Sequence, residues 1–171
     1  MYTPLEFIKF LENRNYRIEI FKHKALFTVE DSVNLRGKIR GAHTKNLFLK
    51  NKKNNFFLLS CDENDKFNLK EISKSLNFGN ISFAKEEHLL QHLGIKPGSV
   101  SPFALLNDKG NNVNFYLEKK LYESEYINFH PLINTITVNI KTKEFLEFMI
   151  ENSKKIHIFC SLQKSILKTY G

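Results

Sequence analysis

The stretch Asn46–Cys61, NLFLKNKKNNFFLLSC, sets two apolar runs on either side of a polar Asn/Lys turn. Short apolar runs broken by turn residues read as a β-hairpin, here with a loop longer than the tight Asn-Gly kind. What the chain supplies around this hairpin decides the fold class. Thr3 is placed to cap a helix with Pro4 at its first position, and Leu5, Ile8 and Leu11, or Leu5, Phe7 and Phe10, give it an apolar side through about residue 12. YRIEIF, residues 16–21, alternates as a half-buried strand does. TVEDSVNLRG opens with Thr-x-x-Asp, close to a capping box, and stops at Gly37, the pattern of a short helix.

Further along, the spacing of Leu69, Ile72 and Leu76 predicts a helix over 69–76. A second is predicted over 85–93, with Glu86 and Glu87 favourably placed in its first turn. Strands are predicted at 103–107, 113–117, 126–129 and 135–140. TKEFLEFMIENS places Phe145, Phe148 and Met149 at helical spacing, and KIHIF follows as an edge strand. Strands and helices are interspersed, without repeats or a low-complexity linker. At 171 residues the expectation is one mixed α/β domain spanning 1–171.

Hydrophobic residues make up 42% of the chain, with sixteen Phe and no Trp, which favours a folded core over disorder. No apolar run approaches the roughly 18 residues of a membrane span. The start, MYTPLEFIKFLENRN, lacks an apolar signal region, so a soluble cytoplasmic protein is expected. Cys61 and Cys160 lie far apart with no metal-ligand spacing, and two thiols in a reducing compartment are expected rather than a zinc site. Charge is unevenly spread. Residues 1–60 hold twelve Lys/Arg against five Asp/Glu, a net of +7, and residues 61–171 hold fourteen against thirteen, a net of +1. A polyanion such as RNA would be drawn to the first third; solvation of an ordinary surface is the plainer alternative.

Residues 94–110, GIKPGSVSPFALLNDKG, concentrate three of the seven glycines and two of the four prolines. Gly98 permits positive φ, and Pro102 forces Ser101 towards an extended conformation, so the loop can aim several backbone groups into one small space. Most Gly/Pro loops are simply turns. No GxSxG elbow, Cys/His pair or HExxH occurs. His88 and His92 form an i, i+4 pair without a third ligand, which reads as a solvated helix face.

Three stretches taken together, GAHTKNLFLKNKK, LGIKPGSVSPFALLND and INFHPLINTITV, resemble the signature regions of the YbaK-like aminoacyl-tRNA deacylases, the superfamily that includes the editing domain of bacterial prolyl-tRNA synthetases. The resemblance runs over nearly the whole chain. The Lys-Asn pair in HTKNLFL is most similar to the free-standing branch that hydrolyses Ala-tRNA(Pro). The resemblance implies a central mixed, largely antiparallel sheet flanked by helices, and no cofactor or metal. It implies mischarged tRNA(Pro) as the partner, with prolyl-tRNA synthetase as a second one. Hydrolysis of Ser-, Thr- or Cys-tRNA, or a non-catalytic module that binds aminoacyl-tRNA or the synthetase, are the alternatives. Editing has a physical motive: a pocket built for proline also admits the smaller alanine, and a methylene is worth only about 1–3 kcal/mol of discrimination.

By the same resemblance, Gly98, Ser99, Val100, Ser101 and Pro102 cradle the aminoacyl end through their backbone. Lys45 is the signature lysine, suited to the phosphate of the terminal adenosine. Asn46 either orients substrate or water or caps its own backbone. His130 contacts the substrate or shapes the pocket wall, while Ser99 and Ser101 have no identifiable base and read as hydrogen-bonding loop residues. Phe27, Val29 and Val33 are implied as pocket walls, and Lys50, Lys52 and Lys53, with Lys45, as the tRNA-binding set. His23 stands where relatives commonly have a proline-containing turn.

Overall fold

A computed structural model describes residues 1–14, 16–25, 39–66 and 68–171. The expected helix at 28–37 and the implied pocket walls Phe27, Val29 and Val33 lie outside these residues. The strands are β1 (Ile18–Lys22), β2 (Ala42–Asn51), β3 (Phe56–Asp62), β4 (Ile81–Phe83), β5 (Val113–Glu118), β6 (Tyr126–Phe129), β7 (Ile136–Lys141), β8 (Ile156–Cys160) and β9 (Ser165–Tyr170). They form one mixed sheet in the order β1-β7-β6-β2-β3-β5-β8-β9, with β4 added alongside β2. The β2/β6, β3/β5 and β5/β8 pairs are parallel and the other five antiparallel. The largely antiparallel mixed sheet is therefore present as expected.

Helix α1 (Pro4–Glu12) starts with a complete capping box: Thr3 accepts from the Glu6 N–H, and the Glu6 carboxylate accepts from the Thr3 N–H at 2.8 Å. Its buried face is Phe7 and Leu11, whereas Leu5, which the sequence reading placed on the apolar side, is exposed. The hairpin is β2–β3, and alternation along it feeds two cores. Phe48, Phe56 and Leu58 face a large core shared with α1, Phe103 and the helix at Thr142–Glu151 (Phe145, Phe148, Met149). Leu49, Phe57 and Leu59 face a smaller one under α2 (Leu69–Ser75), with Phe78 and Tyr116. β3 is buried at all seven positions, which is why its sequence reads as an unbroken apolar run.

Four expectations are corrected. Residues 103–107 are not a strand: Pro102–Asn107 is a 3₁₀ helix that Ser101 caps by accepting from the Phe103 N–H. All six of its residues are buried, so burial on every side erased the periodicity that would have separated helix from strand. The helix expected at 85–93 is one α turn, Glu86–His88, continued as a π-helical turn over Leu89–Leu93 and stopped by Gly94 in the left-handed region. KIHIF is a strand, β8, but not an edge, because β9 covers its outer side. The His88 and His92 rings do not lie on a solvated helix face: both are half-buried and pack on Phe56, at 5.3 and 4.2 Å between centroids. Among the described residues no helix is long and apolar enough to cross a membrane.

Candidate functional site

The start of β2 is fixed against β6 by a glycine and two asparagines. Gly41 has φ +85°, and a Cβ there would collide with the Tyr126 carbonyl, so only glycine lets the two chains approach this closely. Asn128 on β6 donates to the carbonyls of Arg40 (2.9 Å) and Ala42 (3.1 Å), and Asn139 on β7 donates to Arg40 (2.8 Å) and to the Asn128 carboxamide oxygen (2.9 Å). Sequence reasoning missed both asparagines, since nothing local distinguishes a strand asparagine that tethers a neighbouring chain.

Lys45 and Asn46, adjacent in sequence, point to opposite faces of the sheet. Lys45 shares the face of Leu47 and Leu49, and its ammonium donates to the main-chain oxygen of Asp65. Asn46 shares the face of Phe48, where its carboxamide oxygen accepts from the fully buried Ser60 hydroxyl at 2.5 Å. Thr44 on that face donates to the Asn128 carbonyl at 2.7 Å. Asn46 is thus held in one orientation by its neighbours.

β2 has different partners at its two ends on the outer edge. β6 pairs with it at Ala42 and His43, and β4 at Leu49–Asn51, where the Phe48 carbonyl also accepts from Ala84 at 2.9 Å. Between them, among the described residues, no strand pairs with that edge. Because the Phe48 carbonyl points to this edge and backbone groups alternate, the N–H and C=O of Asn46 point into the same opening. Continuing the β2/β6 register by two residues sets His130, the residue after β6, level with Lys45. The Gly98–Pro102 loop approaches from the large-core side. Gly98 has φ +84°, Ser99 and Ser101 are buried, Val100 packs on the large core, and Phe103 meets the Phe129 ring edge-on at 5.7 Å.

His130 Nδ1 lies 2.8 Å from the Ile136 carbonyl. A carbonyl only accepts, so Nδ1 carries the hydrogen, and in the neutral ring Nε2 is left as an acceptor. Burial pushes the His130 pKa down, and His23 adds to this, against the bond to Ile136. The His23 ring stands 5.9 Å from that of His130, with Nδ1 donating to the Lys24 carbonyl (2.7 Å) and Nε2 accepting from the Thr137 hydroxyl (2.9 Å). This contact joins residues far apart in sequence through the β1/β7 pairing.

On the other side of Asp65 lies a cleft of about 780 Å³, lined among others by Glu71, Glu118, Lys120, Cys160 and Lys164. Three of its four lysines are ion-paired: Lys120 with Asp62 and Asp65 at 3.3 and 3.1 Å, Lys119 with Glu123 at 3.5 Å, and Lys164 with Glu71 at 3.7 Å. Residues 42–61 hold four lysines and no acid, which draws a polyanion towards the far half of β2 and its turn, while Asp62 and Glu63 lie against the start of β2 at Thr44 and His43. Cys61, opposite Lys45 on β3, is no nucleophile at neutral pH: burial pushes its thiol up to about 12, against the pull of Lys45. Lys50 lies near the far end of β2, and Lys52 and Lys53 are exposed in the turn, seven and eight residues beyond Lys45.

Residues 23–148 match the aminoacyl-tRNA editing domain family. The chain is 35% identical over 149 residues to the prolyl-tRNA synthetase associated domain-containing protein 1 of Xenopus laevis, covering 84% of this chain and 88% of that one. It is 28% identical over 142 residues to the prolyl-tRNA editing protein ProX of Acetoanaerobium sticklandii, covering 82% and 86%. The fold is shared with the crystal structure of a candidate trans-editing enzyme for prolyl-tRNA synthetase, at a TM-score of 0.67 and 15% identity, over 91% of this chain and 96% of that one.

Proposed function

The chain belongs to the aminoacyl-tRNA editing domain family, and from that premise we propose that it is a trans-editing hydrolase that removes the wrong amino acid from tRNA(Pro), alanine first. The observation that carries the reading is the opening beside β2, where among the described residues the strand pairing breaks at Lys45 and the backbone of Asn46, with His130 level with Lys45 by the continued register. The substrate is an ester between an amino acid and the terminal ribose, more reactive than an amide. Its hydrolysis needs a positioned water and stabilisation of the oxyanion formed at the carbonyl carbon; no protein nucleophile is required.

Main-chain N–H groups facing the opening, with those of Gly98, Val100 and Ser101, are suited to hold the ester carbonyl and the developing oxyanion, the Ser99 N–H being taken by the Lys96 carbonyl. Lys45 neutralises phosphate at the terminal adenosine. His130 presents Nε2 as an acceptor, able to take a hydrogen bond from the attacking water or from the ribose hydroxyl next to the ester. Selection for alanine comes from the size of the pocket, and selection of tRNA(Pro) from contacts along the acceptor stem or from association with prolyl-tRNA synthetase. The names of the two relatives above support the link to that synthetase.

Single-turnover deacylation of Ala-, Ser-, Cys- and Pro-tRNA(Pro), with EDTA present, tests the reading. Rapid loss of alanine, slowed at least a hundredfold in a folded Lys45→Ala variant, is expected. Silence on all four substrates would leave a binding module in its place.

A further inference from the structure

Phe83 is 61% exposed, although it lies on a strand of the central sheet. On β4 it sits directly across from Leu49, so its ring projects from the same face as Leu49, Leu47 and Lys45. Four residues of strand and one strand spacing put it roughly 14 Å from Lys45, on the outer side of β2 where the pairing opens. Its base is firm: Leu49 is fully buried, and Ile81, the next residue on that face of β4, packs into the smaller core. The surroundings are cationic. Lys52 and Lys53 are exposed in the turn after β2, and Lys85 follows Phe83 two residues later. The nearest acids in sequence are Glu86 and Glu87, the latter 3.9 Å from Lys85.

We propose that Phe83 is a stacking platform for a nucleobase in the single-stranded 3′ end of the tRNA, about two or three nucleotides from the ester. The proposal rests on the function inferred above and adds the path of its substrate: the ester at the opening, a base on Phe83, and the phosphates running on towards Lys52 and Lys53. A single ring in a cationic field fits this occupant better than it fits a protein partner, which would call for a broader apolar patch. Every base has a π face, so the contact holds the strand without reading its sequence.

The chain has no tryptophan, so Phe83→Trp places a single indole at the site. Its fluorescence is titrated with an RNA oligonucleotide ending in CCA and with one of equal charge lacking the bases. Quenching by the first and not by the second is expected. In single-turnover deacylation of Ala-tRNA(Pro), Phe83→Ala should raise the half-saturating concentration about tenfold with little change in the saturated rate, and Phe83→Trp should restore it. Equal quenching by both oligonucleotides, or none, together with normal half-saturation in Phe83→Ala, overturns the stacking role while hydrolysis by the wild type leaves the function standing. If the wild type hydrolyses nothing, the function fails, and the two titrations still decide whether the ring takes a base.

Discussion

His130 shows how a single side chain is tuned by what covers it. Burial favours its neutral ring, so the folded chain binds the proton less readily than the unfolded one, whose value is near 6.5. The stability this contributes is complete above that value and is lost as pH falls below it towards the depressed folded value. The urea midpoint should therefore drop between pH 7 and pH 5, with a shallower drop in His130→Gln. An unaltered drop in that variant would assign the effect to His92 and His157, whose pKa values burial also lowers. Lys45 and His130 were both legible as candidates from the motifs around them. Their common level was not, since it follows from the β2/β6 register, and neither was the contact of His130 with His23. Lys45 and Asn46, read together as a pair, are parted by the simplest strand rule, which sends neighbours to opposite faces.

At the scale of the element, the join between β2 and β6 is the part of the scaffold on which the site depends. Gly41→Ala should force either a left-handed alanine or a shift of Tyr126, at a cost of about 2 kcal/mol or more. Chemical denaturation measures that cost, and the same variant should deacylate more slowly because the β2/β6 register fixes the level of His130 relative to Lys45. A variant as stable and active as the wild type would show that the join adapts. Caps and periodicity made α1, α2, the hairpin and the helix at Thr142–Glu151 legible in sequence, because those signals lie within a few residues of one another. β4 and β9 were missed. β4 has three residues, too few for alternation to register, and β9 is mostly exposed and polar. The 3₁₀ helix at Pro102–Asn107 was misread because its environment is apolar on all sides.

Over the whole molecule, β2 and its turn, residues 42–60, carry +4 of the +7 net charge of the first third, and three of the four lysines lining the large cleft are ion-paired. Charge reversal at Lys52 and Lys53 should weaken tRNA binding and flatten the plot of log affinity against log salt by about 1.5, if each contacts a phosphate. An unchanged slope would place the RNA surface elsewhere. The sequence by itself determined the class of fold, most of the elements and the location of the excess charge, because patterning, capping and composition are read over short spans of chain. Only the tertiary structure decided that β6 and β4 share one edge of β2 and, among the described residues, leave a break between them. It also decided that the β2/β6 register, continued past its last pair, sets His130 level with Lys45, and that Phe83 stands exposed on the face of Lys45. Those relations depend on which distant strands pair and in what register, and that is set by the packing of two cores on opposite faces of one sheet.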